Sequence, residues 1–226
     1  MNTLVFDSGP LISFTMNNLL WLIEPLNKAF KGQFYLPESV KSELIDQPLQ
    51  TKKFKFEALQ VQELITKGTL KVFDDDSTKT ETLSLLNIAN SCFSARGKNL
   101  NIVHYAEIAS LVTVQQLNAS ALVMDERITR ELVEHPLHLP KLMAKKLHTK
   151  ISINKPMLEE FKRKTVNIKI IRSTELATIA FEKKLLDRYT TPATTRKTVL
   201  ESILWGLKLD GCAINERGIK AIIKAE

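Results

Sequence analysis

Cysteine is scarce in this chain of 226 residues, which contains only Cys92 and Cys212. The two lie far apart and in no spacing typical of metal ligands, so the sequence predicts neither a disulfide scaffold nor a zinc site, and a reducing cytoplasm fits. The first residues carry no basic segment, and Asp7 interrupts their apolar run, which is unlike a signal peptide. No apolar run approaches the roughly 18 residues that a membrane span needs. We therefore expect a cytoplasmic protein with no membrane partner.

Negative charge is slightly in excess in the first part of the chain, and positive charge is strongly in excess in the last. Residues 140–226 contain 19 Lys and Arg against 9 Asp and Glu, a balance of +10, whereas the first 139 residues have a balance of −3. An acidic front with a basic back suits a metal-loaded site beside a phosphate-binding surface. The alternative is that the lysines only solvate exposed helices, because charge asymmetry alone is a weak signal of nucleic-acid binding.

Short apolar runs alternate with helical patterns through the first half of the chain, which is typical of βαβ units and a parallel sheet. Strands are predicted at residues 4–6, 33–36, 70–73 and 121–124, and helices at residues 55–66, 81–93 and 103–117. We predict an α/β domain at residues 1–150 and a basic, mainly helical C-terminal extension at residues 151–226. The boundary is soft, because a strand candidate at residues 168–171 could rejoin the first sheet.

Four carboxylates stand out by their positions. Asp7 and Asp125 each end an apolar strand, at the sheet edge where open α/β folds bind ligands. Glu43 and Glu107 lie on or beside the apolar faces of their helices, where an ionised carboxylate is costly unless a partner offsets its desolvation. With no basic residue at matching inward positions, the set predicts a shared hard cation, Mg²⁺ or Mn²⁺.

Each acid also has an ordinary structural interpretation. A single Asp at a strand end commonly forms a turn or caps a helix, and a lone Glu beside an apolar stripe is usually exposed or ion-paired. The four acids together, in βα order, favour the metal site. In such a site, a bound ion lowers the pKa of a coordinated water and neutralises phosphate charge, so that no histidine is needed. The sequence also indicates no histidine in a suitable place.

Four ordered segments resemble the PIN-domain family. They are LVFDSGPLI at residues 4–12, LPESVKSEL at 36–44, AEIASL at 106–111 and LVMDERITR at 122–130. The resemblance covers residues 1–150 and implies a PIN-like parallel sheet flanked by helices. It further implies a Mg²⁺- or Mn²⁺-dependent endoribonuclease that hydrolyses RNA phosphodiester bonds, and frequent homodimers. The family's acids, which are catalytic and bind the metal, fall on Asp7, Glu43, Glu107 and Asp125.

The chain also departs from the family pattern. Residues 45–70 are longer than the usual connection, and the chain continues well past the family core. Within that continuation, residues 168–176 resemble the trailing part of stand-alone archaeal PIN proteins. The last two helices, at residues 196–209 and 216–224, form either a helix-turn-helix-like hairpin or docking helices that cover a sheet edge.

Several further residues are candidates for accessory roles. Ser8 either orients the first carboxylate or a metal-bound water, or caps the following helix. Glu126 is either an outer-sphere acid or an exposed residue at a helix start. The candidates for contacts with RNA phosphates are Arg127, Arg130, Lys162, Arg163 and Lys164. The alternatives are ion pairs with Glu131 or Glu134 for the first two and a solvated helix surface for the other three.

Three other functions compete with the ribonuclease. Haloacid-dehalogenase-like phosphatases also begin with an apolar strand ending in Asp, but they need a second Asp two residues later, where this chain has Gly9. A non-catalytic RNA-binding or scaffolding protein on a PIN fold stays open, although all four acids are present. A toxin with an antitoxin partner is disfavoured by the long basic extension.

Overall fold

The computed structural model describes residues 2–226, and its strands form one large and one small sheet. In chain order the strands are β1 (Thr3–Phe6), β2 (Gln33–Pro37), β3 (Leu70–Phe73), β4 (Phe93–Ala95), β5 (Lys98–Asn99), β6 (Ala121–Val123), β7 (Ile151–Ile153) and β8 (Ile170–Ile171). The large sheet has the order β3-β2-β1-β6-β8 with every pair parallel. The predicted α/β class, with a parallel sheet flanked by helices, is therefore confirmed.

Helices connect the strands and cover the sheet. They are α1 (Ser8–Met16), α2 (Ile23–Phe30), α3 (Glu38–Lys41), a π-helical segment (Ser42–Asp46), α4 (Gln47–Leu49), α5 (Lys55–Thr66), α6 (Asp76–Asn90), α7 (Tyr105–Gln116), α8 (Arg127–Glu134), α9 (Leu139–Leu147), α10 (Lys155–Lys164), α11 (Ser173–Glu182), α12 (Arg196–Leu209) and α13 (Glu216–Ala225). Short 3₁₀ turns lie at Leu20–Leu22, Pro136–His138 and Asp187–Tyr189. Among the described residues, none of these helices has the length and apolarity to cross a bilayer.

The central strand β1 is buried on both faces, as strands of parallel sheets commonly are. Side chains alternate along a strand, so Leu4 and Phe6 enter one hydrophobic core while Val5 enters the other. The first core also contains buried residues of α1, α5, α11 and α12, and the second those of α6, α7 and α10. Asp7 follows β1 directly, and Asp125 lies two residues after the end of β6.

The segment after residue 150 contributes to the same sheet and core. Ile170 and Ile171 pair in parallel with Leu122 and Val123, so the strand candidate does rejoin the first sheet. The buried side chains of Leu200, Leu204 and Leu207 place α12 in the first core, so this helix docks on the domain. The division of the chain at residue 150 stays a prediction, but contacts join its two sides.

A small antiparallel sheet corrects one predicted helix. The helix expected over residues 81–93 ends at Asn90, and Phe93 begins β4, which pairs with both β5 and β7. Arg96 and Gly97 have φ values of +50° and +78°, so both adopt the left-handed conformation of a tight two-residue hairpin. Strands of two or three residues are too short to show an alternating pattern, which is why the sequence did not indicate this sheet.

Candidate active site

An acidic cleft of about 290 Å³ opens at the carboxyl ends of β1 and β6. The two strands lie side by side at this edge, because the Asp7 N–H donates to the Val123 carbonyl oxygen at 3.0 Å. Acids from five separate parts of the chain line the cleft: Asp7, Glu43, Glu107, Asp125, Glu126 and Asp210. The four acids singled out in the sequence thus line one cavity.

Asp7 is the most perturbed of these acids. Its side chain is buried, and its Oδ1 has no hydrogen-bond partner among residues 2–226. Burial, followed by the negative charges of Glu107 and Glu43, raises the pKa of Asp7 from 3.8 to about 7, although the N–H groups of Ser8 and Gly9 lower it. A buried carboxylate oxygen without a donor is costly, so this atom is well suited to accept a cation or a proton.

Asp125 is held by hydrogen bonds from two directions. The Ser173 backbone N–H donates to Oδ1 at 2.8 Å, and the Ser13 hydroxyl donates to Oδ2 at 3.2 Å. The side chain is 3% exposed. Because Ser173 lies at the start of α11, the C-terminal segment directly positions an acid at the end of β6.

Glu107 projects from the first turn of α7 and is half-buried. Burial and the nearby charge of Glu126 raise the pKa of Glu107, while a hydrogen bond from the Thr129 hydroxyl and the proximity of His104 oppose this. Thr129 is itself fully buried in α8. The fixed hydroxyl therefore limits the orientations open to this carboxylate.

Glu43 departs from expectation. It was expected at the half-buried margin of its helix, but its side chain is exposed and lies in the π-helical segment. A π turn contains one extra residue and shifts the side-chain register, and such turns are frequent at functional sites. Glu43 still lines the acidic cleft and contributes to the raised pKa of Asp7.

The cleft has the ligand chemistry of a divalent-cation site, but its carboxylates are not gathered around a single point. All the acidic donors are oxygens, as Mg²⁺ and Mn²⁺ prefer, and Asp7 Oδ1 lacks a partner. Within the described chain, no three acidic, histidine or cysteine side chains approach one another closely enough to coordinate one ion as they stand. Mg²⁺ usually retains several waters and needs only one or two protein carboxylates directly. The residues that would hold such an ion are Asp7, Glu43, Glu107 and Asp125.

Three cleft residues were missed in the sequence. His104 lines the cleft one turn before Glu107, contrary to the expectation that no histidine is suitably placed, and its i−3 spacing was the available signal. Ser13 holds Asp125, and Asp210 lines the cleft while accepting a 2.7 Å hydrogen bond from Asn17 Nδ2. Nothing local marks Asp210, because only the docking of α12 brings it to this edge.

The two accessory candidates beside the acids lie on the cleft. Ser8 is the first residue of α1, and the capping position belongs to Asp7, so Ser8 is not the helix cap. Glu126 is exposed and caps α8 by accepting from the Ile128 N–H at 3.1 Å. Its helix-start interpretation is therefore borne out, while it also faces the cavity.

Arg127 and Arg130 line a neighbouring cavity of about 430 Å³ together with Arg172. Arg130 forms an ion pair with Glu134 at 3.4 Å, and the Arg172 Nε donates to both Glu175 oxygens at 2.9 and 3.0 Å. Both guanidinium groups also donate to the Ala213 carbonyl. Hydrogen bonds therefore hold Arg130 and Arg172 in place, and the neighbouring glutamates partly neutralise their charge.

The remaining basic candidates lie at the end of α10. Lys162, Arg163 and Lys164 are exposed, and Lys162 forms an ion pair with Glu159 at 3.0 Å. None of the three lines the acidic cleft. Their contact with RNA stays a prediction.

Comparisons with known proteins identify no relative of this chain. A scan against models of protein families, a search of curated proteins and a search of solved structures each found no match to the chain. The fold and the cleft are therefore the only guides to what the chain does.

Proposed function

We propose that this chain is a divalent-metal-dependent endoribonuclease with a PIN-like fold. The observation that carries the proposal is the convergence of Asp7, Glu43, Glu107 and Asp125 on one cleft at the carboxyl ends of β1 and β6. Ligands of open α/β sheets bind at this edge. The four acids come from separate elements, and no lysine or arginine lines the cavity.

The residues of the cleft and its surroundings have different proposed roles. Asp7, Glu43, Glu107 and Asp125 would hold Mg²⁺ or Mn²⁺, which when bound lowers the pKa of a water and neutralises phosphate charge. Ser13 and Ser173 fix Asp125 from two sides. The cavity of Arg127 and Arg130 attracts a phosphate backbone that approaches the cleft.

A second candidate is a non-catalytic RNA-binding or scaffolding protein on the same fold. The observation in its favour is that no three potential ligands in residues 2–226 are yet close enough for one ion. The toxin hypothesis and its antitoxin partner gain no support from the cleft. Homodimers and a cytoplasmic location stay predictions.

The deciding experiment incubates the purified protein with single-stranded and structured RNAs in Mn²⁺ or EDTA. We expect cleavage in Mn²⁺ only, and Asp7→Asn should reduce the rate by more than the roughly 10- to 100-fold that losing a supporting group of a metal site costs. Asp76→Asn, at a 99% exposed side chain outside the cleft, is the matched control and should cleave like wild type. RNA that is bound but never cut would favour the scaffolding candidate.

A further inference from the structure

We propose that residues 52–56, the Lys-Phe segment, and the apolar groove beside it bind the unpaired bases of single-stranded RNA next to the acidic cleft. The proposal rests on the proposed nuclease function and specifies its substrate class as RNA that is unpaired around the cut. Its basis is the position, exposure and charge of the segment and its continuity with the cleft.

The Lys-Phe segment alternates basic and aromatic side chains as Lys52, Lys53, Phe54, Lys55 and Phe56. All five residues are exposed, with Phe54 at 45% and Phe56 at 69%. Within residues 2–226 none of the three lysines forms an ion pair with a carboxylate. The Lys53 ammonium instead lies 4.5 Å from the centre of the Phe54 ring. Phosphate-binding cations interleaved with exposed rings are the combination that single-strand binding surfaces use.

Phe54 has a strained backbone. Phe54 has φ +61° and ψ +16°, a left-handed conformation that is unfavourable for a bulky side chain. The conformation is fixed by local bonds, because the Ala58 N–H donates to the Phe54 carbonyl at 3.0 Å and the Thr51 hydroxyl donates to the Lys53 carbonyl at 2.8 Å. Strained residues of this kind cluster at functional sites, and here the strained residue carries a half-exposed aromatic ring.

The groove connects this ring to the acidic cleft. It is a shallow cavity of about 110 Å³ whose lining includes Phe54, Val61 and the half-exposed Met16. Ile12 and Glu43 line both the groove and the acidic cleft, so the two cavities share a wall. In this proposal, a strand whose base stacks on Phe54 continues along the wall that the groove shares with the acidic cleft.

Unpaired RNA is the occupant that this surface fits. Every unpaired base offers a flat face for stacking, whereas a duplex hides these faces between base pairs. The groove alone would also suit a protein, and its charged lining residues are Glu43 and Glu57. The segment beside it carries three lysines without an ion pair, and this positive charge favours a polyanion. The arrangement predicts little preference among the four bases, because stacking is sequence-tolerant.

The test measures binding in EDTA, so that cleavage does not interfere. Fluorescence anisotropy compares a labelled oligouridylate with an RNA duplex of equal length. Phe54→Ala and Phe56→Ala should each weaken binding of the oligouridylate by about 5- to 150-fold and leave duplex binding unchanged. Phe54→Trp should restore affinity. Leu83→Ala removes an equally exposed apolar side chain from α6 and serves as the control.

Equal affinity for both RNAs, with no effect of either phenylalanine, would overturn the proposal. So would a concentration-dependent dimer of wild type that Phe54→Ala dissociates, because the groove would then be a protein interface. The same samples in Mn²⁺ separate this proposal from the nuclease itself. Phenylalanine-dependent binding without cleavage contradicts the nuclease alone, whereas cleavage that is indifferent to both phenylalanines contradicts the stacking site alone.

Discussion

Asp7 combines burial with two acidic neighbours, which gives the protein without metal a specific dependence of its stability on pH. The folded carboxyl keeps its proton up to about pH 7, whereas the unfolded one loses it near 3.8. Unfolding then releases a proton between these values, so the free energy of unfolding falls as pH rises through this window. The loss is at most roughly 4 kcal/mol.

Asp7→Asn removes this titration, so we expect the mutant in EDTA to lose less stability than wild type between pH 4 and pH 8. Urea unfolding followed by circular dichroism at several pH values measures the difference. The exposed Asp76→Asn variant should follow wild type throughout. Parallel pH profiles for Asp7→Asn and wild type would show that Asp7 ionises normally in the folded protein.

The same residue predicts the response to metal. A cation at the cleft stabilises only the folded state, so Mn²⁺ at about 100 times its dissociation constant should add about 3 kcal/mol by mass action. Asp7→Asn should be more stable than wild type without metal at pH 8 and gain less from Mn²⁺. Differential scanning calorimetry with and without Mn²⁺ gives both quantities. An equal gain in the two proteins would place the ion elsewhere.

The sequence predicted the acids of the cleft better than their supports. Asp7 and Asp125 follow apolar strands, and strand ends in parallel sheets share an edge, so their meeting followed from local pattern. Ser13 and Ser173 were not predicted, because a small hydroxyl or a backbone N–H has no signature until tertiary packing brings it to a carboxylate.

At the scale of elements, α12 links the C-terminal segment to the domain. Leu204 is fully buried in the first core, whereas Leu209 of the same helix is 78% exposed. Leu204→Ala should therefore cost about 2–5 kcal/mol of unfolding free energy, and Leu209→Ala should stay within about 0.5 kcal/mol of wild type. Chemical denaturation measures both. If Leu204→Ala were also neutral, α12 would contribute nothing to the stability of the core.

Long helices were predicted from the sequence more accurately than short strands. The helices at residues 55–66 and 196–209 match α5 and α12, since twelve or more residues show a helical period clearly. The π-helical segment has no sequence signal that separates it from an α-helix. Glu43 was therefore expected on the half-buried margin of the helix, whereas its side chain is exposed. The short strands β4, β5 and β7 were missed for lack of a pattern.

At the scale of the whole molecule, two basic surfaces are candidates for contact with an RNA backbone. The Lys-Phe segment leads into α5, which packs in the first core, whereas residues 162–164 end α10, which packs in the second. The two therefore lie over opposite faces of the main sheet. The overall charge of +7 attracts polyanions without choosing between them.

The salt dependence of binding separates these surfaces. Each phosphate contacted by a single strand contributes about 0.7 to the slope of log affinity against log salt. Replacing Lys52, Lys53 and Lys55 with Gln should flatten the slope by up to about 2 if each lysine contacts a phosphate. Replacing Lys162, Arg163 and Lys164 with Gln makes the same change of charge on the opposite face. This variant tests the prediction from the sequence that these three residues contact RNA phosphates.

Both triple variants should be titrated with the oligouridylate in EDTA over a series of salt concentrations. Equal flattening would mean that the strand contacts both faces or that only net charge matters. Flattening by the first variant alone assigns the phosphate contacts to the groove side and leaves residues 162–164 as a solvated helix end. Because the two variants have the same net charge, a difference between their slopes is not an effect of net charge and indicates local contact with phosphates.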